Sequence, residues 1–396
     1  MRHHFSVPAG PHPRRPRAAA LEDSLSSRGP QARLARASGA AALLAAAICL
    51  GMPATRASLH AAANAEPPSG GGLTAIAGLK VGSYTLTERP TGCTVILTPP
   101  DGAVAGVDQR GGAPGTRELG LLNPINTVQK VNAIVLSGGS AFGLDAASGT
   151  MKWLDEHHIG YDVGITRVPI VPSAILFDLN VGGKPSIRPT ADCGYRAAAA
   201  ATGGPVQEGN VGAGAGATVG KLGGPGRAMK AGLGTAAITL PDGLVVAAIV
   251  AVNAVGDIID PTTGRVVAGV RTPDGLHLAD ARKLILSGAL MRPRSKSGEN
   301  TTIGVVATNA KLTKDEVTKM AEMASDGYGR AISPAHTPAD GDTVFGLATG
   351  THAGPANVLV IGALAADAMA RAIVRAAYEA TSIPGYPAVR DLGKVK

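Results

Sequence analysis

Aromatic side chains and cysteine are scarce in this chain of 396 residues, and its body has no long apolar run. Aromatic residues make up 3% of the sequence, with a single tryptophan. Proteins that bind single-stranded nucleic acid stack bases on aromatic rings, so we expect no nucleic-acid partner. After residue 65, no stretch approaches the roughly 20 apolar residues that a helix needs to cross a bilayer, so we expect no stable membrane span.

Positive charge is concentrated at the N-terminus. The formal net charge is +8, and residues 1–65 contribute eight arginines against Glu22 and Asp23. The remaining chain has 29 basic and 27 acidic residues, which leaves only +2. A strongly basic chain commonly binds nucleic acid or a membrane surface. The body of this chain is nearly neutral and gives no reason to expect either partner.

An apolar run at 40–50 follows the basic segment and is too short to span a bilayer as a helix. Ala63-Asn64-Ala65 before Glu66 has the A-x-A form of a processing site. We therefore expect residues 1–65 to be a signal peptide or leader, and the mature protein to be periplasmic or secreted. A misassigned start, an organelle transit peptide and a cytoplasmic protein with a non-functional leader are the alternatives, and the cleavage site itself stays open.

Two cysteines remain after the leader, Cys93 and Cys193. Two cysteines make no disulfide framework, and their spacing suits no metal site. The simpler expectation is a pair of buried free thiols. A single disulfide stays open for a protein in an oxidising compartment.

The body of the chain alternates apolar strand-like runs with helical patterns. A capping box, Thr313 to Glu316, predicts the start of a helix, because each of its ends satisfies a free backbone N–H of the first turn. We expect an α/β or α+β fold, a layered sandwich of β-sheets flanked by helices, in a single domain. The predicted strands are 132–136, 244–252 and 303–308, and the other predicted helices are 146–155 and much of 356–381.

Residues 298–306 form a polar approach that runs into a threonine, Thr301, at the start of an apolar strand. A threonine within a chain is a weak nucleophile. One at a new N-terminus has its own α-amine, with a pKa of about 7.7 to 8.0, beside its hydroxyl. The position could therefore be both a cleavage site and a catalytic residue, and the alternative is an ordinary β-branched residue at a strand edge.

Several familiar sites can be rejected. The glycine-rich segment 209–221 is not a phosphate loop, because Ala215 and Leu222 stand where a glycine and a hydroxyl are required. Ser140 lacks the glycine two places on that a nucleophile elbow needs. His336, Asp340 and Asp342 could be drawn as a metal set, but no helical pair of histidines supports them. We expect neither a metal nor an organic cofactor.

Several long motifs in one order resemble those of the L-aminopeptidase/D-esterase family, peptidase family S58. Its members are self-cleaving amidohydrolases, among them β-aminopeptidases and nylon-oligomer hydrolases. The resemblance extends from Gly78 to about Ala380, and the motifs that carry it are 108–118, 136–145, 168–178, 209–221 and 299–302.

The resemblance implies a precursor that cuts itself between Asn300 and Thr301. Residues 66–300 would then be the α chain and residues 301–396 the β chain of one domain, with Thr301 as the nucleophile. The aminopeptidases of the family have serine at this place, and the Asn-Thr junction is similar to the nylon-hydrolase branch. The resemblance also implies a homotetramer of processed protomers.

Other site residues follow from the same resemblance. Asn253 matches the asparagine that stabilises the oxyanion, although asparagine is also a common turn former. Lys221 matches a lysine near the nucleophile, where its charge would lower the pKa of the threonine amine. Asp340 and Asp342 match the acidic pair of the nylon-hydrolase branch. One would orient Thr301 and the other would support Lys221 or the first carboxylate, and the alternative is a pair of surface turn residues.

Phe142 and Asp145 carry a weaker expectation, namely that they contribute to substrate binding. Phe142 stands where some relatives have a tyrosine, so a phenolic donor to the oxyanion would be missing. Asp145 could bind the amino group of a substrate, or it could be a helix-end carboxylate.

The predicted function is a self-processing aminopeptidase or amidohydrolase that acts on short peptides or peptide-like oligomers. The alternatives are a nylon-type oligoamide endo-hydrolase, an acyltransferase and a non-catalytic binding protein of the same fold. The sequence does not distinguish α-peptides, β-peptides, D-amino acid amides or esters, and oligoamides as substrates.

Overall fold

A computed structural model describes residues 71–288, 290 and 300–393, all within one compact unit. The predicted leader and the polar residues just before Asn300 lie outside the described residues.

The described residues contain five α-helices and a larger number of short strands. The helices are α1 Ala146–Glu156, α2 Ala191–Ala199, α3 Ala281–Leu286, α4 Lys314–Ala331 and α5 Val358–Tyr378. The strands are β1 Lys80–Thr85, β2 Gly92–Leu97, β3 Ala103–Gln109, β4 Thr116–Arg117, β5 Lys130–Val131, β6 Ala133–Ser137, β7 Tyr161–Asp162, β8 Arg167–Val168, β9 Ser173–Ile175, β10 Thr218–Val219, β11 Met229–Lys230, β12 Leu233–Thr239, β13 Val245–Asn253, β14 Asp257–Ile259, β15 Val266–Ala268, β16 Thr301–Thr308, β17 Ile332–Ser333 and β18 Thr343–Ala348.

Two large sheets hold most of these strands. Sheet I has the order β1-β2-β6-β9-β4, and sheet II has the order β12-β13-β16-β18-β3-β5. Within sheet II, β16 and β18 are parallel neighbours, while β13 pairs with β16 and β3 pairs with β18 in antiparallel fashion. Smaller sheets join β10 to β11, β7 to β8, and β14 to β15 and β17.

The strand β13 shows how the layers are stacked. Its residues Val245, Ala247, Ile249 and Ala251 belong to the core between sheets I and II. The alternate residues, from Val246 to Val252, belong to the core between sheet II and the helices α4 and α5. A strand buried on both faces is apolar throughout rather than alternating, which explains the continuous apolar run at 244–252.

The other face of sheet I packs against α1 and α2. The layers therefore run helix, sheet, sheet, helix, which confirms the predicted sandwich of sheets flanked by helices. The capping box at Thr313 and Glu316 starts α4 as expected, and α5 lies within the predicted range 356–381. Within the described part of the chain, no helix combines the length and apolar character needed to cross a membrane.

Cys93 on β2 and Cys193 on α2 form a disulfide, with 6.2 Å between their Cα atoms. The expectation of two free thiols is therefore wrong. Cys93 points from the outer face of sheet I into the core that α2 covers, and both residues are buried there. Packing of the helix on the sheet brings together two cysteines that are 100 residues apart, a relationship that sequence spacing does not reveal.

Candidate active site

Two neighbouring strands of sheet II each contribute a predicted site residue at the same level. β13 ends at Asn253 and β16 begins at Thr301, and the antiparallel register places these residues directly opposite each other. Opposed residues of an antiparallel pair project their side chains from the same face of the sheet. Alternation along β16 turns Thr301 to the face that packs against sheet I. Both residues are buried, so the predicted nucleophile lies at one end of the layer between the two sheets.

The peptide bond before Thr301 has two hydrogen-bond donors on its carbonyl oxygen. Asn300 and Asp340 form an isolated parallel β-bridge. The Gly341 N–H donates to the Asn300 carbonyl oxygen at 3.1 Å. The Thr301 hydroxyl donates to the same oxygen. A backbone N–H held at this place would stabilise negative charge if the carbonyl were attacked. The arrangement can therefore support nucleophilic attack on the Asn300 carbonyl.

Asp342 is a buried carboxylate that holds the residue after Thr301. Its Oδ1 accepts the Thr302 N–H at 2.9 Å, and its Oδ2 accepts the His336 N–H at 2.9 Å. The Nδ1 atom of His336 lies 3.0 Å from the same Oδ2. Burial lowers the pKa of His336, but contact with Asp342 outweighs burial, so this pKa is raised above its ordinary value. Asp342 thus fixes the start of β16 and faces a histidine that favours its charged form.

Asp340 accepts hydrogen bonds from the Val255 N–H at 3.2 Å and from the Thr337 hydroxyl. Burial and then the charge of Asp342 raise the pKa of Asp340 to about 6, although the hydrogen bonds and the charge of Lys221 oppose the rise. A carboxyl group with this pKa can exchange a proton close to neutral pH. Asp340 and Asp342 are therefore buried neighbours, not surface turn residues.

Among the described residues, neither carboxylate forms a hydrogen bond with the Thr301 hydroxyl, which donates to the Asn300 carbonyl oxygen. Direct orientation of Thr301 by a carboxylate thus stays a prediction.

The side-chain amide of Asn253 is held on both sides. Its Oδ1 accepts the Lys221 ammonium at 2.7 Å and the Thr218 N–H at 3.0 Å, and its Nδ2 donates to the Phe177 carbonyl at 2.8 Å. Donors on Oδ1 polarise the amide and strengthen Nδ2 as a donor. Because Nδ2 carries two hydrogens, one N–H is left for another acceptor. This geometry fits the predicted oxyanion role and places Lys221 in the site as a partner of Asn253.

Residues 72–390 match peptidase family S58. The chain belongs to this family. The resemblance seen in the motifs is confirmed, and membership of this family makes the chain a hydrolase of peptide or amide bonds.

Two relatives illustrate the similarity of this S58 chain to other proteins. An uncharacterized aminopeptidase of Mycobacterium tuberculosis (strain H37Rv) is 43% identical over 344 residues, which cover 81% of this chain and 97% of the relative. A 6-aminohexanoate-oligomer endohydrolase of Kocuria sp. (strain KY2) is 32% identical over 311 residues, which cover 76% of this chain and 84% of the relative.

Solved structures show the same fold at lower identity. A β-aminopeptidase of Burkholderia sp. matches with a TM-score of 0.57 and 22% identity over 84% of this chain and 97% of its own. An L-aminopeptidase D-Ala-esterase/amidase from Ochrobactrum anthropi, described as a new variant of the Ntn hydrolase fold, matches with a TM-score of 0.59 and 19% identity over 81% of this chain and 92% of its own.

Sequence reasoning on this S58 chain missed the backbone donor of Gly341. A Cβ at this glycine would lie 2.8 Å from Oγ1 of Thr301 and 2.6 Å from the Ala113 carbonyl oxygen. Real Cβ atoms do not come so close, so the loop between the two carboxylates can approach Thr301 only as glycine. The glycine between two acidic residues at 340–342 was the signal available in the sequence.

His336 contacts Asp342 and Tyr328. Its ring stacks on Tyr328 with a centroid distance of 5.7 Å. Within the described ranges, no group of three His, Cys, Asp or Glu side chains is arranged to hold a metal ion.

Phe142 and Asp145 lie on the 3₁₀ helix Ser140–Asp145. The Phe142 ring is exposed, and the Arg188 guanidinium lies 3.5 Å from its centroid. Asp145 accepts the N–H of Ala191, the first residue of α2, at 2.8 Å, so its carboxylate sits at the start of a helix. Substrate binding by either residue stays a prediction.

Proposed function

We propose that this chain is a self-processing amidohydrolase whose nucleophile is Thr301. The observation that carries the proposal is the Asn300 carbonyl oxygen, which accepts hydrogen bonds from the Thr301 hydroxyl and from the Gly341 N–H. A hydroxyl held beside the carbonyl and a preorganised donor on its oxygen are what intramolecular acyl transfer needs. Asn253 lies opposite Thr301 in the strand register, Lys221 donates to Asn253, and Asp340 and Asp342 flank Gly341 in sequence.

Self-processing begins with attack by Oγ1 of Thr301 on the carbonyl carbon of Asn300. The new O–C bond forms, the C–N bond breaks, and the departing nitrogen takes up the hydroxyl proton. Water then hydrolyses the ester, which leaves a carboxylate on Asn300 and a free α-amine and hydroxyl on Thr301. The Gly341 N–H and the second N–H of Asn253 stabilise the oxyanion of each step.

The freed α-amine is the base for substrate turnover. An N-terminal amine has a pKa of about 7.7 to 8.0, and the charge of Lys221 would lower it further. The hydroxyl attacks the substrate carbonyl, the amine product leaves with a proton, and water releases the acyl group from Thr301. Asp340 exchanges protons in this cycle, a role that its pKa of about 6 supports.

The processed form consists of residues 66–300 and 301–396, and we propose that four such protomers assemble. We also propose export to the periplasm or the exterior after removal of residues 1–65. The disulfide between Cys93 and Cys193 supports export, because such bonds persist in oxidising compartments.

The relatives suggest two substrate classes for the same chemistry. One is named an aminopeptidase and another a 6-aminohexanoate-oligomer endohydrolase. Release of p-nitroaniline from alanine p-nitroanilide would support an aminopeptidase. Internal cleavage of linear 6-aminohexanoate oligomers, without release from alanine p-nitroanilide, would support the oligoamide alternative. Products containing an added amine acceptor would indicate acyl transfer.

The experiment that tests self-processing is the intact mass of the purified protein after incubation, with N-terminal sequencing of any smaller chain. We expect a fragment that begins at Thr301, and we expect Thr301→Ala to remain full-length, folded and inactive. Cleavage of the same bond in Thr301→Ala would overturn the mechanism. A wild-type chain that never cuts would favour the binding-protein alternative.

Thr302→Ala is the matched control. Thr302 is the next buried threonine of β16, and its side chain is on the opposite face of the strand. This variant should still yield a fragment that begins at Thr301.

A further inference from the structure

Lys230 is a fully buried lysine outside the proposed catalytic set. Its ammonium group donates to the carbonyl oxygens of Gly214 at 3.0 Å and Ala217 at 3.1 Å, and also to that of Ala231. A buried ammonium group is tolerated only where acceptors replace the water it has lost. Burial lowers the pKa of Lys230 to about 7, against the opposing charge of Asp178.

The three carbonyl groups tie one segment of chain to one strand. Gly214 and Ala217 lie in the glycine-rich segment 209–221, and Ala231 follows β11. Thr218 of β10 pairs with Lys230 of β11, and the Ala231 N–H donates to the Ala217 oxygen at 3.1 Å. Lys230 therefore fixes the backbone immediately before Thr218.

The same segment supplies two donors to Oδ1 of the Asn253 amide. The N–H of Thr218, which belongs to the peptide unit of the Ala217 carbonyl, donates to Oδ1 of Asn253 at 3.0 Å. Three residues further on, Lys221 donates to the same Oδ1 at 2.7 Å. A peptide unit is planar, so a donor that holds its C=O also sets the direction of its N–H.

We propose that Lys230 is a positioning residue for Asn253, acting through the segment 214–221. The inference rests on the proposed function and adds a residue to it. Lys230 touches neither the nucleophile nor the bond that is cut. Its bond to the Ala217 carbonyl orients the Thr218 N–H, and that N–H keeps Nδ2 of Asn253 aimed at the oxyanion.

This role predicts a particular kinetic signature. The oxyanion exists only during the reaction, so a misdirected Asn253 amide lowers the rate of reaction and not the binding of substrate. Loss of Lys230 should therefore lower kcat with little change in KM, and it should slow self-cleavage in folded protein.

The test compares Lys230→Met with Lys314→Met in the full chain. Lys314 is also buried, and its ammonium group likewise donates to three carbonyl oxygens, those of Leu121 at 2.7 Å, Asn126 at 3.1 Å and Val128 at 2.8 Å. Those carbonyls belong to a loop that contributes nothing to the proposed site. Each variant thus removes three hydrogen bonds from an ammonium group to carbonyl oxygens. Those of Lys230 lie beside the residues that hold Asn253, and those of Lys314 lie elsewhere.

The first measurement is the rate of self-cleavage per folded molecule, with the folded fraction taken from circular dichroism. The second is kcat and KM of the matured protein on alanine p-nitroanilide. We expect Lys230→Met to cut itself about ten-fold or more slowly, with a similar fall in kcat and KM within about two-fold. Lys314→Met should stay within about two-fold of wild type in all three.

Equal rates for the two variants would make Lys230 a structural residue only and overturn the proposal. A wild-type chain that does not cut itself would instead refute the proposed function. If Lys230→Met does not fold, Lys230→Gln, which keeps a shorter donor, takes its place. Failure of both to fold, while Lys314→Met folds, would assign Lys230 to stability alone and also overturn the proposal.

Discussion

The backbone N–H of Gly341 donates to the carbonyl oxygen of Asn300 at 3.1 Å. The two residues on either side of this glycine are the buried carboxylates Asp340 and Asp342. One short loop therefore supplies the Gly341 N–H on the proposed scissile carbonyl, the Asp342 carboxylate that accepts the Thr302 N–H, and the Asp340 carboxyl group with its raised pKa. A displacement of this loop should affect all three at once.

Gly341→Ala should slow self-cleavage about ten-fold or more, because its Cβ would lie 2.8 Å from Oγ1 of Thr301 and would push the loop away. The measurement is the fraction of cut chain over time on a denaturing gel. Gly329→Ala is the control, since a Cβ there meets open space in α4 and alanine favours a helix over glycine by about 1 kcal/mol. Equal cleavage rates for the two variants would contradict the role given to Gly341.

Asn253→Ala should reduce the rate of self-cleavage about 100-fold or more, which is the usual loss on removing one amide donor to an oxyanion. The control residue is Asn309, beside the opposite end of β13. It accepts the Val245 N–H at 2.9 Å and donates to the Gly243 carbonyl at 2.9 Å. Asn309→Ala should lower stability by about 1 kcal/mol and leave the cleavage rate of folded protein unchanged. Undiminished cleavage in Asn253→Ala would remove this residue from the mechanism.

Asp340 should make the protein less stable as pH rises from about 4 to about 7. Its pKa is about 6 in the folded chain against 3.8 as a reference, so the unfolded chain gives up its proton first and unfolding becomes easier over this range. The full effect of a shift of about 2 units is about 3 kcal/mol.

Asp340→Asn removes this titration. Its free energy of unfolding, relative to wild type, should therefore rise between pH 4 and pH 7, while self-cleavage at pH 7 falls. Denaturant unfolding at the two pH values provides the measurement, with both proteins carrying Thr301→Ala so that neither chain is cut. A difference between the two proteins that does not change with pH would show that Asp340 titrates normally.

The disulfide between Cys93 and Cys193 should contribute about 2 to 5 kcal/mol, since it closes a loop of 100 residues in the unfolded chain. The double variant Cys93→Ala with Cys193→Ala should melt at a lower temperature than wild type under non-reducing conditions. The bond lies in the outer core, on the face of sheet I away from sheet II. Self-cleavage of the folded double variant should therefore match wild type, and a large loss of rate would indicate coupling between that core and the site.

The sequence revealed those parts of the fold that local patterns encode. The apolar run at 244–252 predicted β13, because a strand buried on both faces needs apolar residues throughout. Thr313 and Glu316 predicted the start of α4, since a capping box acts within one helical turn. The motif residues Asn253, Lys221, Asp340 and Asp342 were identified by resemblance. In the fold, Asn253 lies opposite Thr301, Lys221 donates to Asn253, and both carboxylates are buried.

The parts that the sequence did not reveal depend on contacts between distant segments. A backbone N–H such as that of Gly341 has no side chain to mark its role. Lys230 looks like any other lysine until the fold buries it against three carbonyl groups. The register that opposes Asn253 to Thr301 is set by the packing of the whole of β13 on β16, and not by either residue.

The strand order of sheet II has a further consequence for a chain cut before Thr301. The strands β16 and β18, both from the smaller piece, lie side by side in the middle of the sheet, between β13 and β3 of the larger piece. The two polypeptides would be interleaved, so neither could leave without breaking main-chain hydrogen bonds along two strand borders. An affinity tag on either piece should therefore recover both, and once denaturant has separated them, refolding should depend on the concentration of each.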